Sequence, residues 1–335
     1  MTAVTTSFSK MRGWVNQRPK ITGIVLLAAA VIVPFVVKPY YISLTIEVLV
    51  FAIFAMSLDL LLGYTGLASF GQAAFFGLGA YIAAYITSTN ELALGLTSNL
   101  LLTVPVVMGG TAVVALLIGF FALRTSGVYF LMITLAFAQM LFSIAIRWSG
   151  VTGGSDGLPG VARPTIGFGP LTYAFTSRTS YYFLVLLFFL ISLWIMHRLI
   201  NSPFGWTLRG IRENEPRMKS LGYNTFRYKM ATFAIAGAFA GLAGMLLVHF
   251  FRHASPDNLY WTISGQVIVM VVIGGAGTLT GPILGAALVR LFPLLVSSYT
   301  ERWETLEGMV FILFVIYAPK GIMGLLHGRR KDEEV

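Results

Sequence analysis

The chain has 335 residues, of which 57% are hydrophobic and only 11% charged, and its mean hydropathy is +0.81. A water-soluble domain of this length does not need so much apolar surface, and the apolar blocks are continuous rather than alternating, so a soluble fold and a β-barrel are both excluded. The net charge of +10 would point to nucleic acid in a soluble chain, but 15 of the 23 Lys and Arg lie in three short segments beside apolar runs; membrane topology accounts for them, and no nucleic-acid partner is expected.

In chain order, runs able to cross roughly 30 Å of hydrocarbon are expected at 21–38, 41–62, 66–88, 99–121, 127–147, 180–200, 229–250, 262–276, 281–298 and 305–319. The fold class is an all-α polytopic membrane protein with about 8–10 transmembrane helices, some of them glycine-broken. The layout is a basic arm 1–20, a membrane domain 21–319 and a tail 320–335. The first run follows Lys10, Arg12, Arg18 and Lys20 as a signal peptide would. No small-residue cleavage site follows it, and Lys38-Pro39 turns straight into the next span, so it is expected to be retained. With ten spans, three basic clusters share one side: the arm, the segment 198–229 and the tail with Lys320, Arg329, Arg330 and Lys331. That side is expected to be cytoplasmic, with both termini on it. The runs at 66–88 and 262–276 are glycine-interrupted or short, and eight full spans plus broken elements fit nearly as well.

Two segments combine apolar character with glycine. Gly63 to Tyr81 reads GYTGLASFGQAAFFGLGAY, and Gly274 to Ala286 reads GGAGTLTGPILGA. They share G-x-x-G-x-x-[ST] at 63/66/69 and 274/277/280, the pattern of a bundle built from an internal repeat. Glycine permits close helix packing, and it also permits a broken helix, which is tolerated at membrane depth only inside protein or along a cavity. On the second reading Gly63, Gly66, Ser69, Gly71, Gln72, Gly77, Gly274, Gly275, Gly277, Thr280 and Gly281 line a translocation path. Span 229–250 carries Gly237, Gly241 and Gly244 on one face, for which packing is the expected role. The loop 149–180 is the longest on the extracytoplasmic side and opens with a polar, glycine-rich stretch suited to meeting a soluble partner.

Ionisable groups inside spans are costly and therefore functional suspects: Glu47 and Asp59, with Gln139 as a polar neighbour. Asp59 lies four residues before Gly63 and could equally anchor that broken segment. His249 and His253 have the i, i+4 spacing of a ligand pair but lack a third ligand, so interfacial anchoring is expected and no metal site. No hydrolytic triad is visible and no catalytic residue or enzyme activity is expected. No G-x-x-x-x-G-K-[ST] occurs, so an ATP-driven process would need hydrolysis on another chain. The one sizeable polar segment in mid-chain, 201–228, is basic. In it Ser202-Pro203-Phe204-Gly205 ends one helix, Trp206 to Arg212 forms another, Glu213-Asn214-Glu215-Pro216 interrupts, and Gly222 stops the last turn. A short helix of that kind suits docking in a cleft of a soluble subunit; a solvated basic connector is the plainer alternative.

Taken with LRTSGVYFLMITLAFAQM at 123–140, TGGSDGL at 152–158 and SPFGWTLRGIRENE at 202–215, the glycine segments give the chain a resemblance to the LivM-like permease subunits of branched-chain amino acid ABC transporters. The resemblance spans more than 220 residues in family order. It implies an importer subunit in the bacterial inner membrane that pairs with a related second permease, two cytoplasmic ATPases that use the ATP, and a periplasmic substrate-binding protein; no cofactor is bound by this chain. It also implies that Arg209, Arg212, Glu213, Asn214, Glu215 and Gly222 couple the bundle to an ATPase. The chain departs from the family at Gln72, commonly His, and at Pro216, Arg217 and Met218, commonly small residues. Urea or short amides are an alternative cargo. A stand-alone ion-coupled secondary transporter using Asp59 or Glu47 is the alternative of a different class.

Overall fold

The computed structural model describes residues 30–168, 171–297, 302–318 and 321–327. The basic arm, most of the first expected span, Lys320 and the end of the tail lie outside the described residues. Residues 30–36 are helical. Among the described residues, five helices are long and apolar enough to cross a membrane: α1 (Pro39–Leu62), α3 (Leu100–Ala122), α4 (Val128–Arg147), α5 (Arg178–Ile200) and α7 (Thr225–Phe251), between which fall α2 (Gln72–Thr87) and the polar α6 (Pro203–Ser220). The shorter apolar helices are α2, α8 (Trp261–Gly274), α9 (Thr280–Val296) and α10 (Trp303–Tyr317), followed by a last short helix, α11 (Gly321–His327). The chain is an all-α polytopic membrane protein, and its helix ends fall close to the expected spans except where glycines intervene.

α1 and α7 form the centre and are mostly buried, whereas α3 and α4 present broad apolar faces outward. α7 lies between α2 and α3 through the glycine face seen in the sequence. A Cβ on Gly241 would overlap Thr111, one on Gly244 would overlap the Phe76 carbonyl, and Gly79 packs on the Gly241 backbone. Aromatic stacking fills the same layer, with Phe54 and Phe76 4.5 Å apart. α9 packs on both α1 and α8, and α11 packs where α8 meets α9, with Gly321 against Gly275.

At the end away from α6, loop segments close the bundle. β1 (Leu158–Pro159) pairs with β4 (His253–Ala254), and β2 (Thr165–Phe168) forms a hairpin with β3 (Leu171–Ala174). The described part of the loop at 149–180 is thus a cap rather than only a polar surface: Leu158 and Val161 are fully buried. His249 is part of that closure. It is buried in α7, and its Nδ1 lies 3.1 Å from the Ala162 carbonyl. α7 ends at Phe251 with Arg252 in the left-handed conformation, so His253 sits on a strand and shares no helix face with His249. His249 therefore anchors a loop, not the membrane interface.

Candidate functional site

The interruptions are narrower than the glycine-rich segments that carry them. The first leaves residues 63–71 non-helical, and the second leaves 275–279. Gly77 lies inside α2, where a Cβ would overlap Leu259, so packing and not a break explains it. Gly281 lies in the first turn of α9 and Gly274 ends α8; each leaves no room for a Cβ against the other's backbone. Gly66 and Gly277, the middle glycines of the shared pattern, both adopt positive φ (77° and 81°), which an L side chain rarely takes.

The two breaks meet at the α6 end of the bundle. Asp59, fully buried, accepts from the amide N–H of Gly277 at 2.7 Å and from that of Leu279 at 3.2 Å. Leu279 has φ +56°, one of two described non-glycine residues with positive φ, and the carboxylate holds the N–H of that strained residue. Asp59 thus anchors the second break, more than 200 residues away in sequence, and not the segment that follows it. Gly63 caps α1 at the crossing point, where a Cβ would overlap both the Asp59 carboxylate and the Gly277 amide.

α6 lies across this junction. Its inner face, Gly205, Thr207, Leu208 and Ile211, is buried, and Arg209 and Arg212 extend from that face towards the breaks. The Arg212 guanidinium donates to the Gly63 carbonyl, its stem covers Gly66, and it sits beside Gly277. Arg209 lies 5.3 Å from the Tyr64 ring and 4.7 Å from that of Trp206, a cation–π sandwich. A cavity of about 600 Å³ opens beside it, lined by Tyr64, Arg209, Trp194, His197, Gly277 of the second break and Thr280 at the start of α9.

The interruption in α6 is one residue wide. Asn214 has φ −158° and ψ 90°, and its Oδ1 accepts from Arg217 N–H, so it caps a second helical turn with Pro216 in the first-turn position where proline is tolerated. Gly222 closes that turn with φ +87°, as Gly222 N–H donates to Lys219 and Tyr223 N–H to Met218. The two acids have different surroundings. Glu215 pairs with Lys229 and Lys219 and accepts from Thr225, and although burial pushes its carboxyl up, these partners hold it below the usual value. Glu213 is exposed and makes no ion pair among the described residues.

Away from the junction, Glu47 is half-buried and faces Arg290 of α9, which also feels Glu307 of α10. The Arg290 guanidinium lies 3.4 Å over the Phe51 ring. Arg290 was visible in the sequence as a lone charge within span 281–298. Gln139 is half-buried on α4 with no hydrogen bond among the described residues. Three further hydroxyls, those of Thr134, Ser264 and Thr278, are ones that sequence offers no means of singling out. Thr134 accepts from Phe70 N–H, Ser264 from Ala73 N–H at 2.8 Å, and Thr278 from Gly281 N–H. Ser69 accepts from Gly71 N–H at 3.1 Å, and Thr280 opens α9.

A helical bundle whose inner helices are interrupted, with breaks joined to a polar helix outside it, is the architecture of a membrane transport permease. The chain belongs to the family described as branched-chain amino acid transport system / permease component, whose profile matches residues 40–318. The family is a transport component and not an enzyme. The chain is similar to the high-affinity branched-chain amino acid transport system permease protein LivM of Escherichia coli, 28% identical over 333 residues covering 94% of this chain and 77% of that protein. It is also similar to a probable LivM of Methanocaldococcus jannaschii, 26% identical with 81% and 89% of the two chains covered. The permease protein LivH of Escherichia coli matches a shorter region, 30% identical over 125 residues, or 37% of this chain and 40% of that one. No solved structure matches the chain.

Proposed function

We propose that this chain is one permease subunit of an ATP-driven importer of branched-chain amino acids in a bacterial inner membrane. It pairs with a related second permease, receives substrate from a periplasmic binding protein, and is driven by two cytoplasmic ATPases, one of which docks on α6. The matches to both LivM and LivH support the pairing. Eight described Lys and Arg at the α6 end, Arg124, Arg198, Arg209, Arg212, Arg217, Lys219, Arg227 and Lys229, support a cytoplasmic placement of that end. Both termini then lie on the same side.

The observation that carries the reading is the bond from Arg212 to Gly63, made at the point where Asp59 joins the two breaks. A displacement of α6 reaches both breaks at once, which is what a lever between nucleotide-driven motion and a transport path requires. α6 offers exposed Trp206 and Glu213, and exposed Leu221 just past its end, as a docking face. An ion-coupled mechanism at Asp59 is disfavoured, because both of its oxygens already accept backbone N–H groups.

The test is uptake of leucine into proteoliposomes holding the whole assembly, with ATP hydrolysis measured in parallel. Charge reversal at Glu213 is expected to lower coupled transport while the chain still inserts. Normal coupled transport after reversal of both Glu213 and Glu215 would remove α6 as the docking element. Uptake without ATPases, abolished by an uncoupler, would favour secondary transport instead.

A further inference from the structure

Gln72 is the first residue of α2 and is fully buried, yet neither its Oε1 nor its Nε2 has a hydrogen-bond partner. Buried carboxamides are nearly always satisfied, and one left with both ends empty requires an explanation. Local structure does not use this one: Gly71 precedes it with no side-chain cap, and the first turn of α2 holds no acid. The surrounding backbone is secured by other groups, since Ser69, Thr134 and Ser264, all fully buried, accept from Gly71, Phe70 and Ala73. The result is a buried shell of hydroxyls and backbone, already bonded to one another, in which one carboxamide is uncommitted.

The depth is that of a binding site. Ser264 lies ten residues before Gly274, the α6 end of α8, which at about 1.5 Å per residue is roughly 15 Å, half the hydrocarbon thickness of about 30 Å. α2 begins beside it, so the positive end of its dipole lies at mid-membrane. The chain leading there alternates: Leu67, Ser69 and Gly71 are buried, while Gly66 is exposed and Ala68 and Phe70 are half-buried. Phe70, two residues before Gln72, pairs with the partly exposed Trp261, ring centres 6.2 Å apart.

We infer that the N-terminus of α2 receives the polar end of the transported amino acid, with Gln72 as its side-chain contact. The carboxamide Nε2, with the positive end of the α2 dipole behind it, suits the α-carboxylate, and Oε1 suits the α-ammonium group. Such a site reads what all α-amino acids share and leaves discrimination among side chains elsewhere. The inference rests on the proposed function, from which the following experiment separates it.

The parental assembly and a Gln72→Leu variant are reconstituted in proteoliposomes, and ATP-dependent leucine uptake is measured. Leucine is close in size to glutamine and removes the unpaired groups, so a residue that merely fills space would give a variant at least as stable and as active as the parent. The site predicts a variant that co-purifies with its partners but takes up leucine roughly ten-fold more slowly. Parental uptake by Gln72→Leu overturns the inference and leaves the proposed function standing; absence of ATP-dependent uptake in the parent overturns both. The chain has no cysteine, so Gln72→Cys gives a second readout in the whole assembly. Modification of that residue by a small methanethiosulfonate during turnover, suppressed by saturating leucine, is expected. A thiol that stays unmodified in every nucleotide state overturns the site.

Discussion

The two helix breaks begin with the same glycine pattern but are secured by different chemistry. The second is five residues long and held by one carboxylate, Asp59, which ties down Gly277 and the strained Leu279 from another helix. The first is nine residues long; the Arg212 guanidinium holds its start at Gly63, scattered hydroxyls hold the rest, and it ends at an uncommitted carboxamide. A charged, short-range anchor suits a joint that must keep its shape while it moves. The neutral, hydroxyl-rich far end of the first break suits a site that must take up and release a polar ligand. The shared motif thus supplies the interruption, and the neighbouring side chains decide what it does.

The comparison breaks most sharply at Asp59. Replacing it by alanine leaves two backbone N–H groups of the second break without an acceptor, at a cost of roughly 3 kcal/mol. Thermal unfolding of the purified chain in detergent should show that loss, with Asp59→Asn intermediate because one acceptor remains. An unchanged midpoint for Asp59→Ala would mean the carboxylate does not secure the break. Next in size is Gly277→Ala, which places a Cβ at φ +81° beside Gly63; left-handed geometry alone costs about 1–2 kcal/mol. Gly222→Ala has a similar φ of +87° but nothing within 4 Å of its Cβ. It should cost less than Gly277→Ala, and equal losses would show that the contact with the other break contributes nothing.

Much of this fold was legible because the period and length of apolar runs report directly on spans, and helix ends at α1, α3, α4 and α8 fall within a few residues of expectation. The exception is α2, which starts at Gln72 where a span from 66 was expected. Residues 66–71 are as apolar as a helix but are not helical: Gly66 has positive φ, and the N–H groups of Leu67, Phe70 and Gly71 go to the Leu61 carbonyl and to the Thr134 and Ser69 hydroxyls instead of to carbonyls four residues back. The acid at position 59 was recognisable as unusual, but its partner was not, since no sequence signal links it to amides more than 200 residues away. Arg212 was recognised through a motif at the membrane edge; its bond to Gly63 depends on how α6 folds back over the bundle, which is a tertiary fact.

Arg212 turns the comparison into one of function. Arg212→Ala removes the direct bond between α6 and the first break but leaves the Asp59 contacts, so unfolding should shift little. Transport per ATP hydrolysed should fall roughly ten-fold, within the usual range of coupling energies. Arg212→Lys should restore only part of it, because a lysine lacks the planar fork. Parallel loss of hydrolysis and uptake would instead place Arg212 at the docking face.

The smallest effect separates the two acids of α6. The carboxyl of Glu215 is held below its ordinary value of 4.5, so its ionised form is favoured in the folded chain. Stability from that source is fully present above the ordinary carboxylate value and is lost as pH falls through the lowered folded value. Glu213 is exposed and outside any ion pair among the described residues. Comparing unfolding midpoints from neutral to acidic pH, Glu215→Gln should flatten the acid limb by a small amount, because the group is partly solvated and screened. Glu213→Gln should leave that limb unchanged yet lower coupled transport. Were Glu213→Gln to alter the acid limb and Glu215→Gln to leave it untouched, the division of α6 into an inward strut and an outward docking face would be reversed.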